Sequence, residues 1–515
     1  MTVDSSSSRR DFIRLSRDVA ALIALGSFPA FGGEREMRFQ ANPFRFGVAS
    51  GDPRPDGVVL WTRLDGEVLD RSGALRLRVP VRWEISEDDT FRRIVGKGSR
   101  VATSELGHSV HVEVGGLRPQ RHYWYRFTAG GEVSATGRTR TAPAVAAAID
   151  RLRFVFVSCQ HYEDGFFTAY RRIAEEDLDF VVHLGDYIYE TTRTTPVRRH
   201  ESAGEVVTID QYRSRYARYR LDPDLQAAHA TSAWIVTPDD HEVTNDYAGA
   251  TSPDGSPREQ FLRQRAAAYQ AYYEFMPLRR ASMPAGPAMR LFRRLRFGGL
   301  AEFHVLDTRQ YRSRPACGGG RRPLCDEALG PSQEMMGPVQ EKWLMTGLRA
   351  SQARWNLLAN QILISQLIQV VDDRRIVSMD SWNGYVQPRA RLLKFLDEAR
   401  PANPVVLTGD IHSSWVCDLK RDFSNPSSAI VGTELAGTSI TSGGDGDDSS
   451  RSDVLALNPH IKFFNNRRGY VRCTLTPSTL TSDLRTLPYV SRPDAPIETR
   501  ASFVVEDGRP GAVRN

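Results

Sequence analysis

The 515 residues are enough for two domains, each with its own core, and their apolar, charged, glycine and proline content is that of a soluble globular protein. The net charge of +6 is small against 68 basic and 62 acidic side chains, so charge makes no case for an anionic partner. No RNA- or DNA-binding motif accompanies the arginine pairs Arg293-Arg294 and Arg321-Arg322, which read as solvated surface.

In chain order, the first feature is Ser8-Arg9-Arg10-Asp11-Phe12-Ile13-Arg14, which matches the twin-arginine export pattern and precedes a mildly apolar stretch from Val19 to Phe31. That stretch is too short, and too rich in alanine and glycine, to span a membrane. Residues 1–33 are therefore expected to be a signal cleaved near Gly32 or Gly33. The twin-arginine export machinery would be a partner, and the mature protein periplasmic or secreted, with no stable membrane span.

Residues 44–142 read as an all-β domain. The segments Val58 to Arg63, Leu77 to Trp83, Val110 to Val114 and His122 to Phe127 alternate or run apolar between Gly/Asp/Pro turns. Gly116-Leu117-Arg118-Pro119 ahead of Tyr123 is similar to the corner that opens a late strand in immunoglobulin-like and fibronectin-like β-sandwiches. Arg140 to Ile149 is the expected linker, and residues 151–505 the second domain.

That domain opens with a strand–helix–strand unit. Phe154 to Val157 is an apolar run stopping at Ser158-Cys159-Gln160, Phe166 to Glu176 has helical spacing, and Phe180 to Val182 stops at Gly185-Asp186. In a buried parallel sheet both strands end on one rim, so Cys159, Asp186 and Tyr189 should converge there, each able to bind a metal as an anion. An Arg/Thr-rich loop, Thr191 to Val207, comes next. Helices are predicted over Tyr212 to Tyr219, Leu225 to Ser232 and Arg258 to Tyr273, then over Glu341 to Leu348 and Ala390 to Ala399. Further strands are Trp234 to Thr237, stopping at Pro238-Asp239-Asp240-His241-Glu242; Ala301 to Asp307; Trp355 to Gln361, which carries Asn360 at its end; and Pro404 to Thr408, stopping at Gly409-Asp410-Ile411-His412. An apolar strand thus ends repeatedly in a carboxylate, thiol or imidazole.

Of the five cysteines, Cys317 and Cys325 enclose GGGRRPL and look like a short-loop disulfide of an oxidising compartment. Cys417 and Cys473 lie on predicted strands, as a second bridge or as two buried thiols. Cys159 is left over, and a lone thiol among ligand types at a strand end reads as a metal-bound thiolate. Phosphate-ester hydrolysis needs chemistry of this kind: cations that neutralise the phosphoryl oxygens and make hydroxide at neutral pH. A phenolate with a thiolate suits ferric iron, while oxygen-only ligands suit a hard ion.

The set FGVASGDPRPDGVVLWTRL, FVSCQHYEDG, VVHLGDYIYE, DDHEVTNDYAG, LDTRQYRS, NLLANQILIS and LTGDIHSSW resembles the alkaline phosphatase D (PhoD) family of calcineurin-like metallophosphoesterases, from Phe44 onward. The resemblance implies an α/β fold of two mixed sheets flanked by helices behind the N-terminal β-sandwich. In the more distant purple acid phosphatases the first motif supplies an aspartate; here Cys159 holds that place, as in PhoD-like enzymes. It further implies a ferric ion (Fe3+) held by Cys159, Asp186, Tyr189 and His412. Asp186 would bridge to calcium (Ca2+) bound by Asp240, Asn360 and Asp410, with a second calcium nearby. Asn360 rests only on its strand end and the ANQ triplet.

On this reading metal-activated hydroxide attacks the phosphorus of a phosphate-ester substrate in line. His241 touches a substrate oxygen or protonates the leaving group, and Arg193 holds a phosphate oxygen bidentately. Pro238 stands where relatives commonly carry an aromatic residue, which bears on pocket shape. The leading expectation is an exported metal-dependent phosphomonoesterase or phosphodiesterase. The alternatives are a phospholipase D-type diesterase acting on lipid or wall-polymer substrates, and a non-catalytic exported binding protein of the same fold.

Overall fold

Every residue of Phe180–His183, Ala233–Val236, Ala301–Val305, Trp355–Ala359 and Pro404–Thr408 is buried, as expected of strands covered on both faces. In a computed structural model, which describes residues 37–515, these strands fall into two large mixed sheets. The first has ten strands. At its centre Leu152–Val157, Phe180–His183 and Ala233–Val236 run parallel, with Phe154 opposite Phe180 and Phe180 opposite Ala233. The second has seven, and its centre is the parallel set Ala301–Val305, Trp355–Ala359, Pro404–Thr408 and Ile430–Ala436.

Strand alternation decides what lies between them. Phe154, Phe156, Phe180 and Val182 face one way and pack with Phe303, Val305, Leu357, Ala359 and Leu407 of the second sheet. Val155, Val157 and Val181 face the other way, onto a layer built around the Thr168–Ala174, Ile209–Arg220, Pro223–Thr231 and Arg258–Phe275 helices. Leu358 and Val406 meet the Gly337–Ala350 and Val386–Ala399 helices on the far side of the second sheet. The helices and strands expected from periodicity are all present, with ends shifted by one to a few residues.

The N-terminal strands divide. Val79–Ser86, Ile94–Ala102 and His122–Ala129 form a five-stranded sheet with two short partners. Val48–Arg54, Gly57–Arg63 and Ser109–Val114 instead extend the ten-stranded sheet, where Ser50 pairs in parallel with Ala233. The β-sandwich thus shares one of its two sheets with the α/β layers, and Phe39–Asn515 cluster as one compact unit. The expected corner is present: the Tyr123 hydroxyl accepts from the Arg118 N–H at 2.9 Å.

Cys317 and Cys325 are bridged. Cys417 and Cys473 are free and buried, on strands of different sheets, which settles them as two thiols. The arginine pair at Arg293 is not loose surface, since its guanidinium holds Asp52 at 2.7 Å and the Val236 carbonyl at 2.9 Å. No helix among the described residues is long and apolar enough to cross a membrane. The twin-arginine segment and its cleavage region lie outside the described residues.

His183 closes the second parallel strand fully buried, its Nδ1 accepting from the Gly185 N–H at 3.2 Å while Nε2 has no partner. Burial alone pushes its pKa down to about 3. The ring is neutral in the fold, whereas the unfolded chain takes up a proton near pH 6.5. The stability it contributes is therefore complete above that pH and is lost as pH falls toward 3, a loss on the order of 4 kcal/mol. Urea unfolding of His183→Asn, which keeps an acceptor for Gly185, should show a flatter acid limb than the wild type between pH 6.5 and 4. Parallel curves would refute the assignment.

Candidate metal centre

The ligand candidates sit where strands of both sheets end on one side of the molecule. Leu152–Val157 delivers Cys159, Phe180–His183 delivers Asp186, Ala233–Val236 delivers Asp239 and Asp240, and Pro404–Thr408 delivers Asp410 and His412. Each chain turns sharply there. Cys159 (φ 59), Asp186 (φ 57), Asp410 (φ 61) and His412 (φ 56) all hold left-handed backbone, which costs energy for residues other than glycine and marks positions over-determined by their surroundings. Gly185 precedes Asp186 because a Cβ there would lie 2.4 Å from Asp239.

Backbone bonds tie the turns together. The Cys159 N–H donates to the Gly185 carbonyl at 3.1 Å and the Gln160 N–H to the Asp186 carbonyl at 3.0 Å. Glu242, fully buried, accepts from the Asp186, Tyr187 and Asp239 N–H groups at 3.2, 2.7 and 2.9 Å, locking the second and third turns to each other.

Among the described residues three groups of ligand atoms result, the atoms of each within 4.8 Å of one another: Cys159, Asp186 and His412; Asp186, Asp240 and His241; and Asp240, Asp246 and Asp380. Asp186 belongs to two of them. Its Oδ2 accepts from the Tyr189 hydroxyl at 2.9 Å, and that hydroxyl lies 3.1 Å from His412 Nε2. Its Oδ1 is buried with no partner. Burial, then the neighbouring acids, push the Asp186 carboxyl, the Cys159 thiol and the Tyr189 phenol well above their ordinary ranges, and burial lowers His412 to about 3. A thiol, a phenol and an orphan carboxylate oxygen buried beside a half-buried imidazole are what a cation would satisfy.

Of the other expected residues, Asn360 is buried, and its Nδ2 donates to the Ile362 carbonyl and to Thr408 Oγ1, leaving Oδ1 only the Trp382 indole at 3.4 Å. His241 is fixed by Glu190, Nδ1 to Oε2 at 2.6 Å, and lies over the Tyr189 ring at 4.0 Å between centroids. Burial disfavours its charged form, but Glu190 and Asp186 win and raise its pKa. Arg193 differs from expectation. Its fork is already taken by Asp164, Nε to Oδ1 at 2.7 Å and Nη2 to Oδ2 at 2.8 Å, so a phosphate oxygen would have to displace a carboxylate from it.

Arg309 and Arg312 were not expected. Arg309, fully buried, bonds Asp239, lies 3.4 Å from Asp240, and reaches Asp380 at 2.7 Å and Asp410 at 3.3 Å. Arg312 pairs with the other oxygen of Asp380 at 2.6 Å. Burial would raise Asp240, but the Arg309 guanidinium and His241 hold it below the usual carboxylate range. Asp410 and Asp246, where burial prevails, are each pushed up to about 7. The only sequence trace of this arrangement is the motif LDTRQYRS, which carries both arginines.

The PhoD-like phosphatase family model matches residues 154–484, and the model of that family's N-terminal domain matches residues 30–143. The chain is 48% identical over 516 residues to alkaline phosphatase D of Bacillus subtilis (strain 168), covering 98% of this chain and 88% of that protein. The solved structure of PhoD is similar with a TM-score of 0.90 at 49% identity, covering 93% of each chain.

Proposed function

Since the chain belongs to the PhoD-like phosphatase family, we propose that it is an exported, metal-dependent phosphoesterase whose cations sit among the strand-end ligands. That it is a hydrolase of phosphoric ester bonds comes from the family itself. The observation that carries the metal reading is the Cys159, Asp186 and His412 group with its unpartnered Asp186 Oδ1.

Iron would be held by Cys159, Asp186, Tyr189 and His412, soft and phenolic donors together. Calcium would be held by Asp240, Asn360 and Asp410 with Asp186 shared, and a second calcium would suit Asp240, Asp246 and Asp380. When bound, the cations neutralise phosphoryl oxygens and acidify water. The chain's own residues do the rest. Glu190 orients His241, whose other ring nitrogen is the donor for a substrate oxygen or the leaving group. Glu242 and Arg309 hold the carboxylate-bearing turns in register, so that charge developing at the reacting centre meets fixed dipoles. Arg193 would hold phosphate only by exchanging Asp164 for it.

Export is supported by the twin-arginine sequence and by the Cys317–Cys325 bridge, which belongs to an oxidising compartment. In this reading residues 1–33 are the signal, 44–142 the sandwich and 151–505 the catalytic part, with Pro238 shaping the pocket.

Elemental analysis of protein exported under its own signal should find iron and calcium, and chelation should remove activity on an aryl phosphate. Full activity in metal-free protein would reject the metal reading. Metal-replete protein inert on a broad phosphoester panel would reject the catalytic one.

A further inference from the structure

The cleft beside Asp410 and His412 is walled on one side by a segment that plays no part in the proposed chemistry. The Arg321–Arg322 strand pairs antiparallel with Arg374–Ser378, Arg321 opposite Ser378, and the Cys317–Cys325 disulfide closes the loop around it. Arg321 lines a cavity of about 180 Å³ together with Asp410, His412, Leu363, Leu367 and Gln369. Its guanidinium makes no ion pair and no side-chain hydrogen bond among the described residues, whereas the neighbouring Arg322 donates to the Gly319 carbonyl at 2.9 Å.

A guanidinium offers a planar fork of donors that fits carboxylate and phosphate oxygens, and one left unpaired in a concave wall has that fork available. Here the backbone beneath it is fixed twice, by strand pairing and by the disulfide, so only the exposed side chain itself is left to order on binding. The same cavity is lined by Asp410 and His412, by the apolar Leu363 and Leu367, and by Arg321, so a group held at Asp410 and His412 shares one concave space with that guanidinium.

We propose that Arg321 is a specificity-determining residue of the phosphoesterase, binding a second anionic group on the leaving side of the ester. The preferred substrate then carries a negative charge beyond the phosphorus under attack, with an apolar spacer between the two. This rests on the phosphoesterase reading. The disulfide is the positioning device that keeps the arginine on the cleft wall.

The test compares two aryl phosphodiesters of equal size, one bearing a carboxylate on the leaving ring and one the neutral carboxamide. The wild type should favour the carboxylate. In Arg321→Ala the ratio of the two kcat/KM values should fall about fivefold, through KM, with partial recovery in Arg321→Lys. The Cys317→Ser/Cys325→Ser double variant should lower the same ratio, and Arg322→Ala should leave it at the wild-type value. A wild type without preference, or a ratio unmoved in Arg321→Ala, overturns the subsite while the enzyme stands. A wild type that hydrolyses neither ester overturns the phosphoesterase reading, and the role of Arg321 with it.

Discussion

Replacing Asp186 by asparagine should lower turnover of an aryl phosphate about 10³-fold, the loss of roughly 4 kcal/mol of transition-state stabilisation. The size of the effect comes from position. Asp186 is the residue common to the Cys159/His412 group and the Asp240/His241 group, so one neutralised side chain disturbs both. Asparagine keeps the volume but presents an NH2 where a carboxylate oxygen now stands buried and unpartnered. The fold itself should tolerate the change, because burial already disfavours the charged carboxylate in the absence of cations. Turnover and bound metal measured on one preparation, with the unfolding midpoint as control, decide the matter. A variant that keeps a full metal load and more than about a tenth of its activity would show that Asp186 is not the shared ligand.

Substituting Arg309 by glutamine should destabilise the metal-free protein by about 3–5 kcal/mol. Asp239, Asp240, Asp380 and Asp410 converge on this one guanidinium, and removing it leaves buried carboxylates facing each other. Divalent ions bound by the same carboxylates restore part of the missing positive charge, so added calcium should shrink the loss. Urea unfolding in chelator and in calcium gives both numbers. A loss below about 1 kcal/mol in chelator, or one indifferent to calcium, would mean that Arg309 is not the counter-ion of this cluster.

Much of the candidate site was legible because of how buried parallel strands are written. Phe154 to Val157, Phe180 to Val182 and Pro404 to Thr408 are uninterrupted apolar runs, and the residues just beyond such a run land on the sheet rim. Gly185-Asp186 and Gly409-Asp410 add a second trace, since the glycine is needed where the turn crowds its neighbours. Asp246 and Asp380 left no comparable mark. They lie in loops, where no periodicity tells an acid pointing inward from a solvated one. Arg309 looked like any other arginine, because its four partners come from three separate turns that meet only in space. The split of the N-terminal strands was equally invisible: parallel pairing of Ser50 with Ala233 leaves no local signal in either segment. The pairing of Arg193 was invisible too, since its partner Asp164 lies 29 residues upstream in another turn, at 2.7 Å.

The ten-stranded sheet also dictates when the polypeptide can mature. Its central Leu152–Val157 strand waits on one flank for Arg468–Leu475, with Val471 set against Phe156, while Val48–Arg54 waits for Ala233–Val236. A nascent chain leaving the ribosome cannot close that sheet until residues 468–475 have been translated. Until then the Leu152–Val157 strand presents an open edge to any other extended segment within reach.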